Sequence, residues 1–208
     1  MDTAHALVAF ALAAGLLTIT PGLDTALVLR TTAVEGSRRG MEAAFGIALG
    51  LASWGVAAAI GLGALLAASR FAYEALRVAG ALYMLWLGGR LIVAALARHE
   101  QTAKITMTPA RGSWLLRGLL TNLLNPKVGV FYVTFLPLFI PGGVNVTGFS
   151  LLLAAIHIVQ GLLWFWLLTS LLKPLARWIE RPAVRRALDG LSGGMLLAFG
   201  AGLFLARR

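Results

Sequence analysis

Residues 114–140 read WLLRGLLTNLLNPKVGVFYVTFLPLFI, an apolar stretch interrupted by Asn-Pro-Lys at positions 125–127. The stretch is long enough to cross a bilayer as a helix, which takes about 20 residues for a hydrocarbon core of roughly 30 Å. A proline in mid-helix removes one backbone donor and clashes with the carbonyl four residues before it, and lipid cannot satisfy the groups that are left. The stretch therefore predicts a membrane-spanning helix, broken where protein or water can reach the backbone.

The chain as a whole is strongly apolar. Hydrophobic residues make up 59% of the 208 residues and charged residues only 12%, which is too apolar for a water-soluble domain. We predict an all-α membrane protein with six transmembrane helices, while the chain length leaves a five-span alternative open. The longest loop, residues 97–113, is too short to bury a core, so we expect residues 1–208 to form a single transmembrane domain. The other five apolar stretches are about residues 4–29, 40–68, 71–96, 147–172 and 187–206.

The basic residues indicate the orientation, because Lys and Arg near helix ends stay in the cytoplasm. Twelve of them lie in loops one, three and five and four on the opposite side, so both termini are predicted outside. This bias explains the net charge of +10 without a nucleic-acid partner. The twelve are Arg30, Arg38, Arg39, Arg98, Lys104, Arg111, Arg117, Lys173, Arg177, Arg181, Arg185 and Arg186, and the four are Arg70, Arg77, Arg207 and Arg208.

The first stretch echoes the fourth. Residues 15–24 read GLLTITPGLD and residues 118–127 read GLLTNLLNPK, with the proline two residues later in the second case. A repeat of three spans must be inverted in the membrane, because an odd number of crossings reverses its direction. We expect two inverted three-helix repeats, about 1–97 and 112–208, with helices 1 and 4 broken at proline.

Each break has a residue that can cap a helix followed by a proline. Thr20 and Pro21, and likewise Asn125 and Pro126, are predicted to cap and open a second half-helix inside the membrane. The free N–H groups and partial positive charge of such starts suit a carboxylate. The alternative is a plain proline kink relieved by neighbouring helices.

Asp24 and Lys127 are the two charged residues well inside apolar stretches, where an unpaired charge costs several kcal/mol. We expect them to meet each other, a substrate or a water path. Lys127 suits an amino-acid carboxylate, and Asp24 either receives the ammonium group or carries a coupling proton. The alternative is a structural salt bridge that touches no substrate.

Less specific candidates surround this pair. Gly22, Tyr132 and Gln160 join the predicted substrate-binding set, and Asn122 lies near Lys127 in the sequence. His157 is a second candidate for proton coupling. The alternatives are a hydrogen-bonded interior histidine at 157 and a bridge between helices at Gln160. The aromatic residues 164–166 either line an apolar pocket or face lipid. Glycines such as those at 46 and 50 permit close helix packing, within the chain or in a homodimer.

Three segments together resemble the LysE/RhtB family of amino-acid exporters. Residues 20–29, TPGLDTALVL, are similar to its first-helix motif, residues 80–91, GALYMLWLGGRL, to its third, and residues 125–139, NPKVGVFYVTFLPLF, to its fourth. Leu23 departs from the family, which commonly has a second proline there. The resemblance implies outward transport of an amino acid across the bacterial cytoplasmic membrane, powered by protons. The residues on motif positions are Pro21, Gly22, Asp24, Asn125, Pro126 and Lys127.

Other functions fit the residues less well. An exporter of a cationic amino acid or an inorganic cation would want more acidic or imidazole ligands than the spans offer. An enzyme would need a nucleophile with a base, a metal motif or paired acids, and the chain has no cysteine. A non-transporting scaffold subunit would not need broken helices. We therefore predict a transporter without cofactor or resident metal, with an amino acid, protons and membrane lipids as its partners.

Overall fold

The computed structural model describes residues 2–68, 70–96, 112–170 and 181–205, and the regular elements among them are all helical. This confirms the predicted all-α class for the described chain. Most of loop 97–113 and residues 171–180 lie outside the described residues. The helices are α1 (Thr3–Ile19), α2 (Leu23–Glu35), α3 (Ser37–Ala68), α4 (Arg70–Leu96), α5 (Trp114–Leu123), α6 (Pro126–Val130), α7 (Val146–Ser170) and α8 (Pro182–Leu205).

Four of the predicted spans have the length and apolar character needed to cross a membrane. Helix α7 and the segment Ser37–Gly61 of α3 qualify as single helices. Two bent pairs qualify when each is taken as one span: α1 with α2, bent by 50°, and α5 with Pro126–Phe139, bent by 53°. Apolar side chains such as Leu12 on α1 and Leu163 on α7 are 66% and 62% exposed, as expected where helices face lipid.

The first break differs from the prediction. Helix α1 ends at Ile19 and α2 begins at Leu23 after Gly22, so Pro21 lies between the helices rather than in the first turn of α2. The Thr20 hydroxyl donates to the Leu16 carbonyl at 2.6 Å, which closes α1 instead of capping α2. The prediction that Thr20 caps α2 and that Pro21 opens it is therefore wrong, because the extended backbone at Gly22 delays the start of α2.

The second break matches the prediction. The Asn125 side chain accepts a hydrogen bond from the Lys127 backbone N–H at 3.1 Å, and Pro126 is the first residue of α6. Helix α6 continues as a π-helical turn, Phe131–Phe135, and a 3₁₀ turn, Leu136–Phe139. Because Pro137 has no N–H for the fourth carbonyl before it, the ladder shifts, and the Leu136 N–H reaches back to Phe131.

Helix α3 lies at the centre of the packing, against α2, α5 and α7, while α4 packs against α8 and α1 against α7. Glycines make the closest approach possible. A Cβ atom added at Gly46 would overlap the Leu115 carbonyl of α5, and one added at Gly118 would overlap the Ala43 carbonyl of α3. The predicted packing role of Gly46 is thus confirmed, inside the chain rather than between two chains.

Two apolar clusters fill the interior. One is aromatic, with Phe10 of α1 edge-on to Phe139 at 5.5 Å and Phe131 stacked on Phe135 at 5.0 Å. The other joins α2, α3 and α7 through residues such as Val28, Ile47 and Phe165. The clusters leave a small cavity between them, beside both helix breaks.

The α3–α5 contact gives a test of the packing. Gly46→Ala should lower the midpoint of thermal unfolding in detergent, because overpacking costs about 1–3 kcal/mol and a backbone carbonyl cannot rotate aside. Gly61→Ala, on the same helix, adds a Cβ that meets no atom within 4 Å and should leave the midpoint unchanged or raised. Equal midpoints for the two variants would contradict the close contact.

Candidate functional site

The cavity lies where the two breaks meet α3 and α7. Five predicted site residues line it, namely Thr20, Gly22, Asp24, Asn125 and Lys127, together with His157. Its remaining walls are mostly apolar, with side chains from α1, α3, α6 and α7. The cavity has a volume of about 40 Å³, which is room for roughly two or three water molecules.

Lys127 bonds to the end of α1. Its Nζ atom donates to the Leu17 carbonyl at 2.9 Å and to the Thr20 carbonyl at 3.1 Å. Helix C-termini leave carbonyls without intrahelical donors and carry a partial negative charge, so a cation is stabilised there. This explains how a lysine is held in the first turn of α6, where that helix's own dipole opposes it.

Asp24 lies in the first turn of α2, where its negative charge complements the helix dipole. Its Oδ2 atom accepts a hydrogen bond from the Asn122 side chain at 2.7 Å. Its Oδ1 atom is buried without a hydrogen-bond partner in the described chain. One carboxylate oxygen is therefore held by the protein, and the other has no hydrogen bond, in a residue that lines the cavity.

The two charges share the cavity but do not make a direct ion pair: the salt bridges among the described residues lie elsewhere, at Asp2 and Glu42. Each charge is instead held by polar groups of the opposite half of the chain, Lys127 by carbonyls of α1 and Asp24 by Asn122. The pair is therefore not the simple structural salt bridge that the sequence left as an alternative.

His157 and Tyr132 form a buried pair behind the cavity. Their rings stack at 5.7 Å, and both side chains are almost fully buried. Neither the Tyr132 hydroxyl nor His157 Nδ1 has a partner among the described groups. His157 lines the cavity, whereas Tyr132 packs into the aromatic cluster.

Three other predicted site residues lie off the cavity lining. The Gln160 amide donates to the Ala11 carbonyl at 2.9 Å and so ties α7 to α1. Pro21 and Pro126 shape the two breaks without lining the cavity. The aromatic residues of α7 fit both predicted roles: Phe165 lines the cavity, whereas Trp166 is 58% exposed, as expected for a side chain that faces lipid.

Sequence reasoning missed two features of the site. The carbonyls that hold Lys127 belong to the backbone, so no side chain in the sequence indicates them, and they are exposed only because the helix bends. The Trp54 indole donates to the Asn122 carbonyl at 3.4 Å, from a different helix.

The geometry predicts that Lys127 stabilises the break. Lys127→Met should lower the thermal unfolding midpoint, because it removes two hydrogen bonds to a charged group, each contributing about 1.5–3 kcal/mol, and leaves Asp24 without a nearby cation. Adding Asp24→Asn should recover part of the loss. A wild-type midpoint for Lys127→Met would mean that the carbonyl contacts contribute nothing.

Comparison with known proteins identifies the family. The model of the LysE-type translocators matches residues 16–207. The threonine efflux protein of Escherichia coli (strain K12) is 30% identical over 91% of this chain and 92% of its own. The homoserine/homoserine lactone efflux protein of Salmonella typhimurium is 32% identical over 96% of both chains, and an uncharacterized membrane protein of Bacillus subtilis is 30% identical over 94% of this chain and 97% of its own. No solved structure matches. The chain therefore belongs to the family of LysE-type translocators.

Proposed function

We propose that this chain exports a small neutral amino acid or a close derivative from the cytoplasm, driven by the proton gradient. The observation that carries the proposal is the cavity between the two breaks, which combines an unpartnered Asp24 oxygen with the Lys127 ammonium. A zwitterion offers the complementary charges. In this proposal the cavity-lining residues Thr20, Gly22, Asp24, Asn125 and Lys127 bind the substrate, and Asp24 and His157 are the candidates for proton coupling. Four further residues of the predicted substrate-binding set, Pro21, Pro126, Tyr132 and Gln160, lie off the lining and would act only indirectly.

The names of the relatives support recognition of an amino group. Threonine, homoserine and homoserine lactone all carry an amino group on the carbon next to a carbonyl carbon, but the lactone has no free carboxylate. Asp24 is thus the contact that all three could share. Two of the three N–H donors of Lys127 are bonded to carbonyls, so the third would serve a carboxylate.

The small cavity implies a change of shape during transport. A volume of about 40 Å³ is too small for an amino acid, so the site must widen when substrate enters. The breaks at residues 20–22 and 124–125 are natural hinges, because few backbone hydrogen bonds cross them. Alternating access would then move one half of each broken helix against the rest of the bundle.

The packing supports the six-span inverted repeat. In that arrangement α4 and α8 are the third and sixth spans, which pack together, as do the second and fifth spans, α3 and α7. The second span, α3, packs against α5 of the fourth span, and the fifth span, α7, packs against α1 of the first span. Two related halves, 1–97 and 112–208, would produce this equivalence, because the second and fifth spans correspond and so do the first and fourth. The homodimer stays a prediction.

Transport can be tested in proteoliposomes loaded with labelled neutral and cationic amino acids and homoserine lactone. We expect release of a small neutral amino acid that an acidic exterior accelerates and a protonophore slows. Asp24→Asn should cut the release rate roughly 10- to 100-fold, because a charged hydrogen bond contributes about 1.5–3 kcal/mol. Asp2→Asn, which alters an exposed carboxylate outside the cavity, is the matched control.

The outcomes separate the alternatives. No release of any panel member would overturn the exporter and favour the scaffold subunit. Release that ignores the pH gradient would overturn proton coupling alone. Preferential release of lysine or arginine would favour the cationic-substrate exporter, and wild-type release by Asp24→Asn would refute the site.

Topology can be tested with single cysteines, since the chain has none of its own. A membrane-impermeant thiol reagent applied to whole cells that make the protein in their cytoplasmic membrane should label Gly142→Cys, in the fourth loop, and spare Glu35→Cys, in the first. Both positions are exposed. The reverse pattern would invert the predicted orientation, and labelling of both from outside would contradict an odd number of crossings between them.

A further inference from the structure

The contact of Asn122 with Asp24 joins the two halves of the chain inside the predicted membrane region. Asn122 is the last-but-one residue of α5 and is fully buried. Its amide nitrogen donates to Asp24 Oδ2 at 2.7 Å, the distance of a charge-assisted hydrogen bond. Asn122 itself does not line the cavity, so it acts on the cavity through Asp24.

Helix α3 holds Asn122 at two points. Gly50 faces its side chain, and a Cβ atom added there would lie 2.5 Å from Asn122 Oδ1 and 2.7 Å from its Cβ. Trp54, one turn further on, donates to the Asn122 carbonyl at 3.4 Å. The Trp54 ring also packs against Gly129, beyond the second break. The position of the amide is thus fixed by a glycine and a tryptophan that the sequence motifs do not include.

This support makes the two oxygens of Asp24 unequal. With Oδ2 bonded to Asn122, the carboxylate cannot turn freely, and Oδ1 is left without a partner. A buried carboxylate oxygen without a donor is costly, and the amino group of a ligand would satisfy it.

Resting on the proposed function, we propose that Asn122 is a positioning residue, which directs Asp24 Oδ1 toward the ammonium group of the transported molecule. Gly50 is the residue that allows Asn122 to do so. The substrate requirement that follows is a primary amino group, with or without a free carboxylate.

The test measures binding and transport in the full chain, with threonine or the panel member that wild type releases fastest. Asn122→Leu keeps a similar volume and removes the donor, so it should raise the half-saturating substrate concentration about 10-fold or more while changing the maximal rate much less. In an Asp24→Asn background the same substitution should add no further loss of affinity, measured by ligand-induced thermal stabilisation. A merely structural role for Asn122 would instead give an independent, additive loss.

A pair of glycine variants provides the matched control. Gly50→Ala pushes against Asn122 and should reproduce the loss of affinity. Gly55→Ala lies on the same helix and creates an equally close contact, 2.5 Å from the Ala154 Cβ, but away from Asn122. It should keep the wild-type half-saturating concentration. If Asn122→Leu does not fold, the two glycine variants decide the question.

The outcomes distinguish this inference from the proposed function. Absence of release by wild type would overturn both. Wild-type release, combined with unchanged affinity in Asn122→Leu or with equal affinities in Gly50→Ala and Gly55→Ala, would overturn the positioning role alone. Additive losses in the Asp24→Asn background would overturn it as well.

Discussion

The contact between the Lys127 ammonium and the carbonyl end of α1 is the constraint on which the site depends. A helix that ends inside hydrocarbon leaves carbonyls that lipid cannot satisfy. Lys127 satisfies two of them, from a position 107 to 110 residues further along the chain. The ammonium group donates to carbonyls that would otherwise lack a partner, and these carbonyls stabilise the buried positive charge. Either group alone would be costly in this environment. The two breaks are thereby held side by side.

Close packing brings the breaks within reach of each other. Helices α3 and α5 lie so close together that a Cβ atom on the contacting glycines would overlap a backbone carbonyl, and Asn122 lies in the same contact, against Gly50 of α3. The aromatic cluster around Phe131 and Phe10 fills one side of the break and the α2–α3–α7 cluster fills the other. The cavity is the space that neither cluster fills, and its polar wall comes from the unwound backbone and the side chains beside it.

The arrangement of charges has a consequence for recognition. The Lys127 cation is already engaged by the protein, whereas one oxygen of Asp24 is not. A ligand amino group would therefore meet an acceptor that has no hydrogen bond, whereas a ligand carboxylate would be left one of the three ammonium donors. This asymmetry fits a family in which relatives are named both for an amino acid and for its lactone. The amino group of the ligand would then be the main determinant of specificity.

The sequence by itself determined the class of the protein, the two breaks and the need of Asp24 and Lys127 for polar partners. These features follow from local rules: apolar length sets a span, proline breaks it, and a charge in an apolar stretch needs a partner. Only the tertiary structure decided that Lys127 bonds to the carbonyls of α1, that Asn122 holds one oxygen of Asp24, and that Tyr132 and Gln160 lie off the cavity. Those contacts depend on bend angles and helix packing between distant segments. Every residue has a backbone carbonyl, so no residue type in the sequence indicates which carbonyls the bend will expose.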